Sequence, residues 1–326
     1  MNETMKTLVM RNGAIHLESA DLPVPGPGQV LVKSLACGIC GSDLHITRHE
    51  DEVLEFYREI GAMDASPQAH AGIMLGHEFC AEIVAHGPQT PVRLPLGSRV
   101  TSVPILMTND GAGVGVTPGV AGAYSEYFLL DEQLMLPVPD HLPAAAAAVT
   151  EPLAVGLHAV NRSDIAAGDV ALVAGCGPIG LAVIAALRQR GVRAIVASDL
   201  QAGRLDIASS FGASHTVNPG EQDEVALAAG LAGDARVVIF ECIGVHQLIA
   251  DFLRRAPSGA MLVVTGVHTA DSRVNYAYAT VKELDLKFSY YYQPEEFAQC
   301  LNAIADGEVP WQLLLTGSVG IDGVAS

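Results

Sequence analysis

The second half of the chain alternates between short, continuously apolar runs and longer stretches with helical spacing. The apolar runs occupy residues 169–174, 194–198, 237–242 and 261–264. Continuous apolar runs of this length are typical of strands that are buried on both faces of a parallel sheet. Because these strands alternate with helices, the pattern predicts a doubly wound α/β domain over residues 152–289.

The first half of the chain has a different pattern, with short strands separated by turns. Residues 6–35 predict such strands, interrupted by a proline-rich loop at residues 23–28. Residues 49–60 carry apolar side chains at helical spacing and predict an amphipathic helix. Pro143 and Pro152 each stand where a further helix is predicted to begin, because proline is favoured in the first helical turn.

Composition and charge predict two domains and exclude two classes of partner. The 326 residues exceed the usual size of one domain, half of them are hydrophobic, and the formal net charge is −18. This charge argues against binding to nucleic acid or to an anionic membrane surface. The longest apolar stretch, residues 170–187, is broken by glycines and a proline, so no segment is expected to span a membrane. No apolar run follows Lys6, so no signal peptide is predicted and a cytoplasmic location is expected.

Two of the six cysteines, Cys37 and Cys40, form a Cys-x-x-Cys pair. This spacing occurs in redox pairs and in half of a four-thiolate zinc site. No second pair follows, which excludes the four-thiolate site, and no thioredoxin-like βαβ pattern surrounds the first. The other cysteines lie in apolar segments and are interpreted as small buried side chains, and a disulfide framework is not expected in a chain of this size and location.

Chemically useful side chains are concentrated after this pair and at two later points. Residues 36–45 carry two thiols, a hydroxyl, a carboxylate and an imidazole, and the pairs Gly76-His77-Glu78 and Glu151-Pro152 follow far along the chain. A thiolate, an imidazole and a carboxylate from distant segments suit a catalytic zinc, which uses three protein ligands and keeps a fourth position open. Residues 41–45 predict a helix start, which we expect to lower the pKa of a thiol placed there.

A glycine motif predicts a dinucleotide site in the second domain. Gly175, Gly177 and Gly180, with Pro178 and Ile179 between the last two, stand between a predicted strand and a predicted helix. This setting makes the motif specific, because the glycines allow a tight turn and a close approach of the backbone to a pyrophosphate at the helix N-terminus.

The residues after the motif favour NAD as the dinucleotide. Asp199 follows the motif by about twenty residues, where a carboxylate binds the ribose hydroxyls and repels a 2′-phosphate. Arg204 argues the other way, because a nearby arginine can bind that phosphate. Asp199 could also serve as a helix cap, and the two roles are compatible.

Taken together, residues 38–45, the Gly76-His77-Glu78 segment, residues 151–156 and the glycine motif resemble the medium-chain zinc alcohol dehydrogenases, in particular their polyol, sorbitol and threonine dehydrogenase branch. The resemblance extends from about residue 6 to about residue 319. It implies a GroES-like, mostly β catalytic domain over residues 1–151, completed by residues 290–326 with a helix at 294–305. The Rossmann domain at 152–289 carries the cofactor.

The resemblance also implies roles for individual residues. Cys40 rather than Cys37 would bind a catalytic Zn²⁺ ion together with His77 and Glu151. Glu78 would either bind the metal directly or stay one step back. Ser42 would receive the substrate proton and His45 would pass it to solvent, whereas the alternatives are a helix cap and a surface histidine. The residues that complete the implied site are Asp43 near the metal and Thr265, Gly266 and Val267 near the nicotinamide.

Two departures from the relatives carry further expectations. Many relatives place four cysteines between residues 88 and 124 for a structural zinc, and this chain has none there, so one catalytic zinc and no structural zinc is expected. The segment at 46–75 differs in length from the relatives and is expected to cover the substrate pocket, with a surface insertion as the alternative. Relatives also continue beyond residue 326, so the chain is either short or truncated.

The sequence therefore predicts a zinc-dependent oxidoreductase that transfers a hydride between a small-molecule alcohol, a secondary alcohol or polyol, and NAD. Family habit implies a homodimer or homotetramer. The alternatives are a zinc-free quinone or enoyl reductase on the same fold, and a non-catalytic NAD-binding protein.

Overall fold

The computed structural model describes residues 3–59, 72–268 and 271–324 and divides the chain into two compact units. The first unit holds residues 1–151, 304–306 and 315–326, and the second holds residues 152–303 and 307–314. Among the described residues, no helix combines the length and the apolar character needed to cross a membrane.

The strands are β1 (Thr4–Arg11), β2 (Ala14–Asp21), β3 (Gln29–Cys37), β4 (Ile73–Met74), β5 (Phe79–His86), β6 (Arg99–Ser102), β7 (Ile105–Leu106), β8 (Ala112–Gly113), β9 (Tyr127–Asp131), β10 (Met135–Pro137), β11 (Val170–Ala174), β12 (Ala194–Ser198), β13 (His215–Val217), β14 (Val237–Glu241), β15 (Met261–Val264) and β16 (Asp285–Phe288). The helices are α1 (Gly41–Arg48), α2 (Glu50–Glu59), α3 (Ala144–Ala148), α4 (Thr150–Ser163), α5 (Pro178–Gln189), α6 (Ala202–Phe211), α7 (Glu224–Ala232), α8 (His246–Arg255), α9 (Ala277–Lys282) and α10 (Pro294–Ala305).

The first unit is built on an antiparallel five-stranded sheet with the order β10-β6-β5-β3-β9. A three-stranded sheet, β2-β1-β4, and the short β7-β8 hairpin accompany it. Its core contains Val30 and Val32 of β3, Phe79 of β5 and Phe128 of β9, and runs of consecutive residues in β3 and β5 are buried. The proline-rich loop ends directly before β3, as predicted.

The centre of this sheet decides where the site residues lie. β3 pairs antiparallel with β5, with Cys37 opposite Phe79 and two register shifts along the pair. The backbone N–H of Gly38 continues the pairing with a 2.7 Å hydrogen bond to the carbonyl of Glu78. The end of β3 and the start of β5 therefore lie side by side.

The second unit is an all-parallel six-stranded sheet with the order β13-β12-β11-β14-β15-β16. Every residue of β11 and of β14 is buried, which explains why these strands are continuously apolar in sequence rather than alternating. Strand order reverses between β11 and β14, and this is the point where open sheets of this type bind their ligands. The predicted doubly wound sheet is confirmed.

The observed helices refine two predictions. The helix expected to open at Pro152 begins two residues earlier, so that Glu151 lies in the first turn of α4. α10 has the predicted bounds, but residues 290–303 and 307–314 group with the second unit rather than with the first. One reason is Glu296 of α10, whose carboxylate accepts hydrogen bonds from His158 (2.8 Å) and Asn161 (2.6 Å) of α4.

The predicted amphipathic helix at residues 49–60 corresponds to α2. Its buried side chains, Val53 and Leu54, pack in an apolar cluster with Leu8 and Met10 of β1. Residues 60–71 of the longer 46–75 segment lie outside the described residues, so its expected role over the substrate pocket stays a prediction.

Candidate metal and cofactor sites

Three predicted ligands meet at one point of the first unit. The ligand atoms of Cys40, His77 and Glu78 all lie within 4.8 Å of one another, and this is the one such group of three among the described residues. Cys40 precedes the first turn of α1, and His77 and Glu78 directly precede β5. The β3–β5 pairing described above explains how residues nearly forty positions apart along the sequence are brought together.

A second layer of hydrogen bonds lies behind the group. Asp43 is buried, and its Oδ1 lies 3.6 Å from Nδ1 of His77. Its Oδ2 accepts a 3.1 Å hydrogen bond from the backbone N–H of Cys40 and a 3.0 Å hydrogen bond from the Tyr124 hydroxyl. The same hydroxyl also lies 3.1 Å from the carbonyl of Gly38. Asp43 thus contacts both a candidate ligand and the backbone of another.

The acidic groups of the site hold their protons strongly. Burial raises the pKa of Cys40, and burial together with the charge of Glu151 raises the pKa of Glu78 to about 7. Burial lowers the pKa of His77, but the Cys40 side chain and the neighbouring carboxylates raise it to well above its ordinary value. The pKa of the Cys40 thiol is thus raised, not lowered as the position at a helix start predicts, because desolvation of the thiolate is the largest influence on it.

These shifts are a test of whether a cation fits. Several potential anions lie together in a buried place, where each disfavours the ionisation of the next. A divalent cation would offset this repulsion, and metal binding would release the protons. A thiol, an imidazole and a carboxylate are also the donor types that zinc prefers. The residues present therefore fit a Zn²⁺ ion.

Glu151 and Cys37 lie at the edge of the group. Glu151 is buried, and its charge raises the pKa values of Cys40, His77 and Glu78. It is not one of the three residues whose ligand atoms lie within 4.8 Å of one another. Cys37 is likewise outside that group, and burial raises its pKa to well above the ordinary value. Glu78 is therefore placed to bind a metal directly, one of its two predicted roles, and the role of Glu151 as a ligand stays a prediction.

The predicted proton carriers lie on α1. Ser42 is exposed, and its Oγ lies 3.5 Å from Nε2 of His77. His45 is exposed on the next turn, with its ring 4.8 Å from that of His49. Burial and the nearby His49 lower the pKa of His45.

The glycine motif of the second unit has the geometry that a pyrophosphate needs. Gly175 has a φ of +93°, and a Cβ on Gly180 would overlap the carbonyl oxygen of Gly175. A Cβ on Gly177 would meet no atom within 4 Å, which leaves open space at the N-terminus of α5. Pro178 and Ile179 form the first turn of that helix, where unpaired backbone N–H groups attract anions.

Asp199 lies at the end of β12 beside this turn. Its Oδ2 accepts a 2.9 Å hydrogen bond from the backbone N–H of Cys176, and its Oδ1 accepts one of 2.9 Å from Gln201. Arg204 lies 3.5 Å away. The carboxylate therefore ties the glycine turn to the turn before α6. It does not cap that helix, because the N-cap residue is Gln201 and no side chain accepts from the first helical N–H groups.

Three further residues are in place at these sites that the sequence does not single out. Tyr124 contacts the metal group through its hydrogen bond to Asp43. Glu241 and His268 form a 3.2 Å pair in the second unit. His268 belongs to the loop directly after β15, which also contains residues 265–267. Tyr124 stands in the run Gly122–Tyr127, which resembles the family, but nothing in that run indicates the contact with Asp43. The position of Glu241 at the end of an apolar run was the one available signal for its role.

Two family models, curated relatives and a solved structure match the chain. The family model described as "Alcohol dehydrogenase GroES-like domain" matches residues 26–140, and the model described as "Zinc-binding dehydrogenase" matches residues 178–306. The chain is 32% identical to a (R,R)-butanediol dehydrogenase of Bacillus subtilis, over 94% of this chain and 90% of the relative. It is 29% identical to sorbitol dehydrogenase of Bos taurus, over 89% of this chain and 82% of the relative. A crystal structure of 2R,3R-butanediol dehydrogenase from Bacillus subtilis matches with a TM-score of 0.83 and 30% identity, over 98% of this chain and 94% of that one.

Proposed function

Because the chain belongs to the family of zinc-binding alcohol dehydrogenases with a GroES-like domain, we propose that it oxidises a secondary alcohol or polyol with NAD, in a zinc-dependent and reversible reaction that gives a ketone or aldehyde. One observation carries the proposal: the ligand atoms of Cys40, His77 and Glu78 lie within 4.8 Å of one another in a buried, hydrogen-bonded setting.

Cys40, His77 and Glu78 would hold the zinc, with Glu151 as the further carboxylate of the site. Bound there, zinc would supply a Lewis acid that lowers the pKa of a substrate hydroxyl. The Asp43 carboxylate, 3.6 Å from Nδ1 of His77, would favour one orientation of the ring by its charge. Tyr124 would in turn hold Asp43 through its 3.0 Å hydrogen bond.

The two hydrogens of the alcohol leave by separate routes. Ser42 would accept the hydroxyl proton, and His45, which is exposed on the next turn of α1, would pass it to solvent. A bound nicotinamide would accept the hydride from the carbon. The glycine motif would hold the pyrophosphate at the start of α5, and Asp199 would bind the ribose hydroxyls through the oxygen lone pairs that its backbone hydrogen bonds leave over.

Several finer features remain proposals on the same basis. NAD is preferred over NADP because Asp199 is buried beside the glycine turn, where its charge would oppose a 2′-phosphate, although Arg204 lies 3.5 Å from it. One zinc per chain is expected because residues 88–124 contain no cysteine. Self-association is expected at β16, an edge strand of the six-stranded sheet on which Phe288 is 59% exposed. The cytoplasmic location stays a prediction.

The test is an assay of a panel of vicinal diols, sugar alcohols and simple secondary alcohols with NAD and with NADP, on protein whose zinc content is measured. We expect turnover that depends on zinc and is faster with NAD. Protein that binds NAD, contains no zinc and oxidises none of the alcohols would contradict the proposal. The zinc-free reductase is disfavoured by the three converging metal donors.

A further inference from the structure

The last residue of β14 is a carboxylate, Glu241, that is fully buried at the carboxyl end of the parallel sheet. Its Oε1 accepts hydrogen bonds of 2.8 Å from the backbone N–H groups of both Ile243 and Gly244. Its Oε2 lies 3.2 Å from Nε2 of His268. A buried carboxylate is costly unless its oxygens are paired, and these three donors provide the pairing.

The histidine of this pair comes from a different loop. His268 follows β15 by four residues, and its side chain is 11% exposed. Because an ionised carboxylate only accepts hydrogen bonds, Nε2 must carry the hydrogen, which leaves Nδ1 as the second nitrogen of the ring. Nδ1 is buried without a hydrogen-bond partner among the described residues. Such an atom calls for an explanation beyond packing.

The loops that follow β14 and β15 are also in close backbone contact. A Cβ on Gly266 would lie 2.6 Å from Cα of Gly244 and 3.2 Å from Oε2 of Glu241. Thr265 donates two hydrogen bonds to the carbonyl of Glu241, one from its backbone N–H (3.0 Å) and one from Oγ1 (2.7 Å). Glu241 therefore holds one loop by its carboxylate and the other by its carbonyl and by His268.

Both loops lie at the sheet end where a dinucleotide is expected. β14 is the neighbour of β11, which leads into the glycine turn, and strand order reverses between them. Ligands of open parallel sheets bind outside the carboxyl ends of the strands at such a point. The glycine turn and Asp199 serve one side of this crevice from β11 and β12, so the loops after β14 and β15 are left for the other part of the ligand.

We infer that Glu241 and His268 are positioning residues that hold the loops after β14 and β15 in the conformation that receives the nicotinamide half of the cofactor. This inference rests on the proposed function. It separates the crevice into two parts: Asp199 and the glycine turn bind the adenosine and pyrophosphate, and the Glu241–His268 pair shapes the place of the ring. Loss of the pair is therefore expected to weaken the binding of one half of the dinucleotide only.

The experiment compares two ligands on the zinc-loaded protein without turnover. NADH carries the nicotinamide and ADP-ribose lacks it, and the dissociation constant of each is measured by calorimetry. His268→Leu removes the donor to Glu241, His268→Gln restores an N–H donor, and His215→Leu is the matched control, because His215 is exposed on β13 at the far edge of the sheet. Glu241→Gln is a second variant that keeps the Oε1 acceptor.

We expect His268→Leu to raise the dissociation constant of NADH about 10-fold, the effect of one charge-assisted hydrogen bond, and to leave that of ADP-ribose within about twofold of the wild-type value. His268→Gln should recover most of the NADH affinity, and His215→Leu should change neither ligand. Unchanged NADH binding in both His268→Leu and Glu241→Gln would overturn the inference, and so would an equal loss for both ligands, which a misfolded loop or chain would give. If the unaltered protein binds neither ligand, the proposed function itself fails.

Discussion

Tyr124→Phe removes one oxygen atom from the structure and tests how the metal group is held. The Tyr124 hydroxyl donates to Oδ2 of buried Asp43 over 3.0 Å, and Oδ1 of the same carboxylate lies 3.6 Å from His77. A hydrogen bond to a charged group contributes about 1.5–3 kcal/mol to stability. We therefore expect the variant to lose a free energy of unfolding in this range.

The zinc affinity of Tyr124→Phe is expected to fall as well, but less than that of a variant at Asp43. Loss of a group that directly orients a metal ligand typically lowers affinity about 10–100-fold. Asp43→Asn should fall in that range, whereas Tyr124 acts through Asp43 and should give a smaller effect. In the double variant, the two losses should not add, because both remove the same support of His77.

Zinc affinity is measured by competition with a chromogenic chelator, and stability by urea unfolding of the zinc-free protein. Tyr276→Phe is the control, because Tyr276 is 64% exposed in the second unit. Tyr124→Phe with unchanged stability and unchanged zinc affinity would refute the chain of contacts from Tyr124 to His77. Additive losses in the double variant would show that Tyr124 acts independently of Asp43.

Three further predictions concern single positions. Cys40→Ala should abolish zinc retention, measured as zinc per chain after dialysis. Cys37→Ala should retain about one zinc per chain. Equal retention by the two variants would refute the assignment of Cys40 as the ligand. Gly177→Ala should leave the melting temperature unchanged, since its Cβ meets only open space, and should lower the affinity for NAD by occupying the place of the pyrophosphate. Gly180→Ala should lower the free energy of unfolding by about 1–3 kcal/mol or more, because its Cβ overlaps a backbone carbonyl. Equal melting temperatures for the two variants would contradict this. Asp223→Ala should cost about 1 kcal/mol at pH 7, because Asp223 caps α7. The backbone N–H of Ala226 lowers the pKa of Asp223 from 3.8, so the stabilisation is present above pH 3.8 and is lost as the pH falls through the folded pKa. Urea unfolding should therefore show the free energies of unfolding of wild type and variant converging in acid. A difference that widens in acid would refute the argument.

Local patterns in the sequence were enough to predict the second unit. Its central strands are buried on both faces, so their apolar runs are continuous, and the close approach of Gly180 to the carbonyl of Gly175 lies within the motif itself. The same holds for the start of α1 after Cys40, where Asp43 accepts from the backbone N–H of Cys40 three residues earlier. Features whose causes lie close along the chain were therefore predictable.

Features that depend on distant packing were not. The pKa of Cys40 is raised because the fold buries it, and no local rule contains that burial. The hydrogen bond from Tyr124 to Asp43 joins residues 81 positions apart. The grouping of residues 290–303 with the second unit likewise depends on Glu296 reaching His158 of α4. The convergence of Glu78 with Cys40 and His77 likewise depends on the pairing of β3 with β5, and the motifs alone do not decide between Glu78 and Glu151 as the oxygen ligand.

The pairing of Gly38 with Glu78 has a consequence for which carboxylate can serve the metal. A Cβ at position 38 would occupy the space of Oε2 of Glu78, in addition to lying 3.1 Å from its Cβ. Any side chain at this position would push the carboxylate of Glu78 aside. We therefore expect that a methyl group at position 38 would move the carboxylate of Glu78 away from the metal and leave Glu151 as the oxygen ligand. Chains that share this scaffold and differ at this one position are predicted to differ in the identity of that ligand.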